Sequence, residues 1–293
     1  MVNWTNNMKH FLIITNAYKD AELKLTNALA AYIETKGGSS QCFVSNGEDV
    51  QTAAPMPEKI APQTDCVLVL GGDGTLIRAA TRLVDSGIPM IGVNLGTLGY
   101  LCELEENNVF AAIDQLMAGE YMIEQRMMLS GYGIKEGLEV GSGLAFNDIV
   151  IHRTGALSIV SLIVYVNGEY LNTFRADGII LSTPTGSTGY NMSAGGPIVD
   201  PKAQMILITP INAHNLNSRS IVIGAEDEVV IEIGKRRSQK DETVEVSFDG
   251  DNAVKLKVGD RFMIRKAKDT AHICKLSNKS FLEILSKKMQ TYT

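Results

Sequence analysis

The first 120 residues alternate between short apolar runs and stretches of helical period. The apolar runs predict strands at residues 11–15, 41–45, 66–70 and 90–93. Between the first two runs, Leu25, Leu29 and Ile33 recur on one helical face, and further helices are expected at 76–86 and 107–118. Because strands and helices alternate, we expect an open, mostly parallel α/β layer, which binds ligands beyond the carboxyl ends of its strands.

From residue 121 onward the helical period nearly disappears, and short strand-like runs separated by turn residues follow. These runs predict hairpins at 159–166 with 169–174, at 229–233 with 243–248, and at 253–257 with 261–265. Asn167-Gly168, inside the first of them, fits a two-residue type I′ turn. We therefore expect an all-β, sandwich-like C-terminal part made of antiparallel sheets.

The two textures predict an α/β domain at residues 1–120 and a β-rich domain at 121–268. A C-terminal tail, 269–293, has Phe281, Leu282 and Leu285 at helical spacing. We expect this tail to contain a helix that packs back on the domains.

The composition excludes several classes of protein. Of the 293 residues, 45% are hydrophobic, and the net charge of -6 leaves Lys235-Arg236-Arg237, in an expected exposed loop, as the only basic cluster, so no nucleic-acid partner is expected. The four cysteines and four histidines are scattered without metal-ligand spacing, which predicts a reducing compartment and no zinc site. The chain shows neither a secretion signal nor an apolar stretch that could span a bilayer, so we expect a cytoplasmic protein without a membrane partner.

The most informative stretch is the Gly-Gly-Asp-Gly-Thr sequence at residues 71–75, which follows an apolar run and precedes a predicted helix. Glycines permit positive φ and leave no Cβ in the way of a ligand. With Thr75 as the cap of a helix that begins near Leu76, unpaired backbone N–H groups and the positive end of the helix dipole would face the turn. The turn therefore predicts a polyphosphate site, with Gly71, Gly72, Gly74 and Thr75 as its candidate ligands.

Asp73 within this turn has two interpretations. A carboxylate beside phosphates is repelled unless a divalent cation lies between them or unless it acts on a hydroxyl proton. Alternatively, Asp73 caps the helix or closes an Asx turn, for which aspartate is favoured. The turn alone does not choose between these roles, and without a lysine of the Walker type before Thr75 it is not a P-loop.

A second stretch, residues 174–197, is dense in small hydroxyl residues and glycines. It is either a solvated loop or, since apolar segments flank it and it contains little charge, a set of partly buried hydroxyls that need partners. Thr185, Ser187 and Thr188 could hydrogen-bond a ribose or a base edge, and Tyr190 could contact an aromatic ring.

Asn147-Asp148, just before a predicted strand at 149–151, places an amide and a carboxylate side by side. Such a pair suits an adenine edge and a ribose diol, as the acidic residue of dinucleotide-binding folds does. The alternative is a simple turn, in which both residue types are common.

Together these segments resemble bacterial-type NAD kinases, from about Phe11 to the C-terminal strands. Residues 71–75 alone indicate only a superfamily shared with diacylglycerol kinases, sphingosine kinases and phosphofructokinases. The discriminating segments are Asn94-Leu95-Gly96-Thr97-Leu98-Gly99-Tyr100, Asn147-Asp148, and Asp177-Gly178 with 183–190. The family often has glutamate at Asp148 and alanine at Gly189, so this chain has one shorter carboxylate and one methyl group fewer.

The resemblance implies phosphorylation of the 2′-hydroxyl of the NAD adenosine ribose by ATP and a divalent metal such as Mg²⁺, giving NADP. It implies a nucleotide-binding α/β domain, an NAD-binding β domain, and a homodimer or homotetramer with the site near a subunit contact. Asp73 would be the catalytic carboxylate, and Asp177 would contact NAD across the subunit interface. The residues implied in substrate binding are Gly74, Tyr100, Asn147, Asp148, Arg175, Asp177, Thr188, Gly189, Tyr190 and Ser193. No metal ligand is singled out.

Two other functions fit parts of the sequence. A lipid kinase would use the same glycine turn, but the chain offers no basic amphipathic membrane face. A non-catalytic NAD-binding regulator would not require Asp73 with every glycine around it. A dehydrogenase is disfavoured, because no G-x-G-x-x-G follows a strand with an acidic residue about 20 positions on.

Overall fold

The structure is a computed structural model that describes residues 7–45, 60–96, 99–154, 159–214, 218–235, 243–277 and 279–291. The chain divides into two compact units, the first comprising Met1–Gln125 with Ala271–Thr293 and the second Arg126–Thr270. Thr97 and Leu98 lie outside the described residues; they belong to residues 94–100, called here the second glycine segment. Arg236 and Arg237 of the basic cluster also lie outside them.

The apolar runs of the first unit form the predicted parallel layer. Its strands are β1 (His10–Asn16), β2 (Ser39–Ser45), β3 (Cys66–Gly71), β4 (Met90–Asn94), β5 (Leu104–Glu105), β6 (Met122–Arg126) and β19 (Ala271–Lys275). They are ordered β2-β1-β3-β4-β19-β6, and β5 pairs with β4 outside this path. The pairs of β1 with β2 and β3, and of β4 with β3, β5 and β19, are parallel, so the predicted open parallel sheet is confirmed.

The long helices of this unit are α1 (Lys24–Thr35), α2 (Asp73–Leu83), α3 (Val109–Ala118) and α5 (Phe281–Thr291). Every residue of β3 and β4 is buried, as expected of a parallel strand with both faces covered. The tail helix α5 contacts this unit, because the ammonium of Lys288 lies 5.2 Å from the ring centre of Tyr100. The strand β19, which precedes α5, was not predicted; it has only five residues, and its sequence shows neither a clear alternation nor a long apolar run.

Helix α2 begins three residues earlier than the sequence predicts. Gly72 is its N-cap residue, with extended backbone angles, and Asp73 is the first helical residue. Thr75 is therefore not the cap: it is buried in the first turn against Gly71, where an added Cβ would lie 2.4 Å from the Thr75 hydroxyl oxygen. Glycine at 71 lets the strand end and the helix start pack together.

In the part of the second unit that the structure describes, the chain forms twelve strands. They are β7 (Leu129–Lys135), β8 (Leu138–Ala145), β9 (Asp148–Arg153), β10 (Val160–Val166), β11 (Glu169–Ala176), β12 (Gly178–Ser182), β13 (Met205–Ile211), β14 (Ile221–Gly224), β15 (Val229–Gly234), β16 (Thr243–Phe248), β17 (Asp251–Lys257) and β18 (Arg261–Lys266). Two six-stranded antiparallel sheets result, ordered β11-β10-β15-β18-β7-β8 and β14-β13-β12-β9-β16-β17. Leu162 and Ile231 of the first sheet belong to the same buried cluster as Ile151 and Ile179 of the second, so the expected antiparallel sandwich is confirmed.

One of the three predicted hairpins is confirmed and two are wrong. β10 and β11 pair through Asn167 and Gly168, both with positive φ, as a type I′ turn requires. β15 and β16, and likewise β17 and β18, follow each other in sequence but belong to different sheets. Strands of a sandwich carry the same alternating pattern in both sheets, so the pattern does not reveal which neighbours pair. Among the described residues, no helix is long and apolar enough to cross a membrane.

Candidate active site

The glycine turn lies where strands β1, β3 and β4 end side by side. Gly71 is paired with Asn94 at the last register position of β3 and β4, and Leu70 is paired with Thr15 of β1. The N-terminus of α2 has no side-chain cap. A Cβ added to Gly74 would meet no atom of the described residues within 4 Å, so the space beside the first helical turn is open in that part of the structure. Its uncapped N–H groups and the helix dipole suit an anion.

The carboxylate of Asp73 does not cap its own helix. Its Oδ2 accepts a 2.7 Å hydrogen bond from the N–H of Tyr100, and its Oδ1 accepts bonds of 3.3 Å from the N–H groups of Leu101 and Cys102. A carboxylate has about four acceptor positions, so these three bonds fix the group and leave about one position free. Asp73 therefore neither caps the helix nor closes an Asx turn, but binds the backbone of residues 100–102.

Two neighbours of Asp73 explain why the second glycine segment has its sequence. A Cβ added to Gly99 would lie 1.9 Å from Asp73 Oδ1, so any side chain there would displace the carboxylate. The thiol of Cys102 also touches Asp73, and burial together with this negative charge raises the pKa of Cys102 well above that of an ordinary cysteine. Cys102 is therefore an unreactive thiol and only a weak competitor for the free acceptor position.

The second cluster of candidate residues comprises Asn147-Asp148 and the hydroxyl-rich stretch 174–197. It is organised by Asp249, a residue that the sequence did not single out. Its Oδ2 accepts the N–H of Phe146 at 2.7 Å, and its Oδ1 accepts those of Asn147 at 2.7 Å and Asp148 at 3.0 Å. The N–H of Asp249 in turn donates to the carbonyl of Asp148. These bonds hold Asn147 and Asp148 in a defined turn at the start of β9. The dipeptide Asp249-Gly250, whose positive φ values mark a tight turn, was the signal available in the sequence.

The turn opens into a cavity of about 750 Å³ within the second unit. Four predicted residues line it, namely Asn147, Asp148, Asp177 and Tyr190. His152, Arg153, Asn212, Ser247 and Asp249 also line it and were not predicted. The volume suits a ligand of nucleoside size.

Asn147 and Asp148 each carry a buried acceptor. The Oδ1 atom of Asn147 is buried without a hydrogen-bond partner. Asp148 is 6% exposed, and burial, with a smaller contribution from the charge of Asp249, raises its pKa to about 7. A buried amide oxygen and a buried carboxylate that lack donors are the arrangement that a ligand with N–H and O–H groups would satisfy.

Asp177 is held differently from Asp148. Its Oδ1 accepts a 2.8 Å bond from Arg153 Nε and its Oδ2 a 3.0 Å bond from Asn212 Nδ2. The hydrogen bonds from Asn212 and Arg153 lower the pKa of Asp177 below the usual aspartate value. Asp177 thus lies on the cavity wall with its ionised form favoured by these two donors.

The hydroxyl-rich stretch is a compact bend: Thr185–Thr188 form one turn of 3₁₀ helix and Tyr190–Ser193 form α4. Several of its hydroxyls are used internally. Thr183 bonds the carbonyl of Phe146, and Ser187 bonds the backbone of Val199. The expectation that Ser187 reads a ribose or a base is therefore wrong, because its hydroxyl is fully buried in this contact. Thr185 is buried too, but its Oγ1 has no partner.

The glycines of this stretch bring it against Asn147. A Cβ added to Gly186 would lie 2.2 Å from the carbonyl oxygen of Asn147. At Gly189 it would lie 3.2 Å from the Gly186 carbonyl, 3.5 Å from Asn147 Nδ2 and 4.0 Å from Asp148 Oδ2. The alanine that the family often has at 189 would touch this pair, which the glycine leaves slightly roomier.

The remaining predicted residues lie around the edges of the two clusters. Thr188 is half-buried, and its hydroxyl makes a 3.5 Å bond to the Thr185 carbonyl; Ser193 is exposed at the end of α4. Arg175 is exposed on β11, and it is not among the residues that line the cavity. Tyr100 is half-buried in the first unit, where its N–H holds Asp73.

Comparison with known proteins identifies a family for both parts of the chain. The sequence profile of the ATP-NAD kinase N-terminal domain matches residues 11–121, and that of the ATP-NAD kinase C-terminal domain matches residues 146–276. An NAD kinase of Agathobacter rectalis is 60% identical over 98% of this chain and 100% of its own length. An NAD kinase of Lachnospira eligens is 41% identical over 96% of this chain and its own full length.

Two solved structures share the fold. A yeast NADH kinase complexed with NADH superimposes with a TM-score of 0.80 at 24% identity, over 97% of this chain and 88% of its own. An NAD kinase of Archaeoglobus fulgidus in complex with ATP gives 0.74 at 21% identity, over 97% and 99%. The chain belongs to the ATP-NAD kinase family, and its activity is the ATP-dependent phosphorylation of NAD.

Proposed function

We propose that the phosphoryl group of ATP is transferred to the 2′-hydroxyl of the NAD adenosine ribose, with Asp73 as the catalytic carboxylate. The observation that carries this role is the fixed Asp73 side chain, which three backbone N–H groups hold while about one acceptor position stays open. Phosphoryl transfer has a loose transition state, in which the attacking hydroxyl loses its proton late. An oriented carboxylate can therefore position the hydroxyl and accept the proton without being a strong base.

The glycine turn is proposed to hold the ATP phosphates. The open space at Gly74 and the uncapped helix start at Gly72 support this role, because backbone N–H groups there can donate to phosphate oxygens. Thr75 is buried against Gly71 and contributes to the shape of the turn rather than to the phosphates.

The adenosine of NAD is proposed to bind the cavity of the second unit. The orphaned Oδ1 of Asn147 would accept the exocyclic amine of adenine, and Asp148 would accept ribose hydroxyls. Tyr190, 47% exposed on the cavity wall, offers a ring face for stacking. Gly189, Thr188 and Ser193 would shape the rim, and Asp177 and Arg175 would act near the subunit contact.

A divalent cation, Mg²⁺ by preference, is proposed to accompany the ATP. Mg²⁺ keeps several waters and is usually bound by substrate phosphates with one or two protein oxygens. Asn94 Oδ1, a buried oxygen without a partner beside the glycine turn, fits such a role. When bound, the cation offsets phosphate charge, which lets Asp73 lie close to the reacting group.

We also propose that the enzyme is a cytoplasmic homodimer or homotetramer. All four cysteines are free, which suits a reducing compartment, and closed symmetric assemblies are the common form of soluble oligomers. Light scattering after gel filtration tests the assembly; a monomer at micromolar concentration would contradict it.

One assay tests the proposed chemistry. The purified protein is incubated with NAD, ATP and Mg²⁺, and NADP is measured through an NADP-specific dehydrogenase; NADP in proportion to enzyme is expected. The product is then digested, and a binding assay specific for adenosine 2′-phosphate locates the phosphate. Product with a lipid alcohol instead of NAD would favour a lipid kinase, and tight NAD binding without product would favour a regulator.

A further inference from the structure

A lysine far from the glycine turn in sequence lies directly against it. A Cβ added to Gly72 would lie 2.8 Å from the Nζ atom of Lys19, and one added to Gly96 would lie 3.3 Å from the same atom. The ammonium of Lys19 therefore lies between the first glycine turn and the segment that follows β4. Its positive charge offsets a small part of the rise that burial and Asp73 cause in the pKa of Cys102.

The loop that carries Lys19 is fixed at both ends. The N–H groups of Lys19 and Asp20 donate to the carbonyl of Asn16, the last residue of β1. The buried carboxylate of Asp20 accepts hydrogen bonds from the N–H groups of Leu25 and Thr26 and from the Thr26 hydroxyl. The backbone position of Lys19 at the end of β1 is thus set by the sheet, so ligand binding has to order only its side chain.

Within the described residues, the charge of Lys19 is not neutralised by a carboxylate. In the ranges that the structure describes, its ammonium has neither an ion pair nor a hydrogen-bonded carboxylate. The two acidic residues nearest in sequence are otherwise engaged, since Asp20 holds the start of α1 and Glu22 pairs with Lys24. An ammonium held between the start of α2 and the segment that follows β4 is suited to bind an anion.

A second, independent feature indicates a ligand at this edge of the sheet. Asn94 is 7% exposed; its Nδ2 donates to the carbonyl of Gly96, and its Oδ1 is buried without a partner among the described residues. Asn94 and Gly96 line a cavity of about 450 Å³ together with Glu105. Phosphate oxygens are only acceptors, so Asn94 Oδ1 matches a ligand that also carries donors, such as a ribose hydroxyl or a metal-bound water.

We propose that Lys19 binds the phosphate oxygens of the ATP donor at the glycine turn, an inference that rests on the proposed function of that turn. Lys19 supplies from the loop after β1 the cation that a P-loop supplies from within its own turn. Charge-assisted hydrogen bonds from an ammonium to phosphate are about twice as strong as neutral ones. The glycines at 72 and 96 leave room for the ammonium, and the bound phosphate takes the place of the missing carboxylate partner.

The test compares Lys19→Met, which keeps the length of the side chain and removes the charge, with Lys19→Arg, which keeps the charge. For Lys19→Met we expect the KM for ATP to rise about tenfold or more while the KM for NAD changes by less than about twofold. Lys19→Arg recovers most of the ATP affinity. Because Lys19 is exposed, the melting temperature of both variants stays near that of the parent.

Lys24→Met is the matched control, because Lys24 has a side chain that is 76% exposed and pairs with Glu22 in the same unit. Calorimetry with Mg²⁺ and inorganic tripolyphosphate gives a readout that does not depend on turnover: we expect binding to the parent and to Lys24→Met, and about tenfold weaker binding to Lys19→Met. An unchanged KM for ATP in Lys19→Met, or an equal rise in both KM values, overturns the inference. Formation of NADP by the parent protein upholds the proposed function in either case.

Discussion

In each unit one carboxylate accepts three backbone N–H groups, but Asp73 and Asp148, the central carboxylates of the two units, differ in whether they are that acceptor. Asp73 itself accepts three consecutive backbone N–H groups, those of residues 100–102. In the second unit, Asp249 accepts the three consecutive N–H groups of residues 146–148, and Asp148 is left without such donors. Accepting N–H groups stabilises the charged form of a carboxylate. In the second unit it is Asp249 that accepts them, and its negative charge contributes to the raised pKa of Asp148.

The difference indicates two separate tasks. A group that handles a proton in the transition state must be held in place, and three backbone N–H groups hold Asp73. A group that recognises hydroxyls gains most from being buried and unpaired until the ligand arrives, because the ligand then removes an unfavourable state. Asp148, with its pKa raised to about 7, is poised in this manner.

The largest effect is expected for Asp73→Asn. The amide retains one acceptor oxygen but cannot take up the proton, so kcat should fall on the order of 10²–10⁴-fold while the dissociation constant for NAD changes little. Steady-state kinetics with the coupled assay and calorimetric NAD titration measure the two quantities. Turnover near the parental rate would falsify the catalytic role of Asp73.

Removal of Asp249 should lower the free energy of unfolding more than removal of any other single carboxylate of the second unit. Asp249→Ala leaves three N–H groups without their acceptor, which costs on the order of 3 kcal/mol of the free energy of unfolding and loosens the Asn147-Asp148 turn, so the KM for NAD rises. Urea denaturation and kinetics check this. Asp269→Ala is the control, because Asp269 is an exposed loop residue of the same unit; equal effects of the two changes would refute the positioning role.

The raised pKa of Asp148 predicts opposite effects on stability and on binding. The folded-state pKa of about 7 lies above the unfolded value of 3.8, so the folded protein holds this proton more tightly and loses stability as pH rises from about 4 to 7. Asp148→Asn removes that loss, so it should be more stable than the parent at pH 8, on the order of a few kcal/mol, with the difference shrinking towards pH 5. NAD binding by Asp148→Asn should be weak at both values.

In the parent enzyme the KM for NAD should rise as pH falls below about 7, because the neutral acid accepts ribose hydroxyls less well. Asp249→Asn removes the neighbouring charge and should move this rise to lower pH. Among the other titratable groups of the cavity, His152, Arg153, Asp177 and Tyr190 do not contribute to the shift of Asp148, so they should not reproduce the change. Identical pH profiles for the parent and Asp249→Asn would contradict the coupling.

The smallest effect is expected for Gly74→Ala. The added methyl group meets no protein atom within 4 Å and alanine favours helix, so the melting temperature should be unchanged or slightly higher. The methyl group would occupy space proposed for ATP, so the KM for ATP should rise a few-fold, on the order of 1 kcal/mol. Gly99→Ala provides the contrast, since its methyl group would collide with Asp73 and should lower kcat. Loss of stability in Gly74→Ala would show that this glycine serves the fold.

The sequence by itself determined the chemistry-bearing segments and the class of each half. Apolar runs followed by glycines predicted the parallel layer and its turn, because buried parallel strands leave a strong local pattern. The Asn167-Gly168 turn likewise fixed one hairpin, since positive φ at two successive residues is a local requirement. Residues 71–75 and 147–148 were identified for the same reason, because the residue types that indicate their chemistry are adjacent in the sequence.

Tertiary structure decided what depends on distant contacts. Only the fold shows that β16 lies in a different sheet from β15 and β18 in a different sheet from β17, that Lys19 reaches Gly72, and that Asp249 holds the backbone before β9. The contacts of Lys19 and Asp249 join residues separated by more than 50 positions, and an isolated lysine or aspartate carries no local signal of its partner. Local pattern thus identified Asp73 and Asp148, whereas long-range packing determined which of them is held by backbone N–H groups and which is left unpaired.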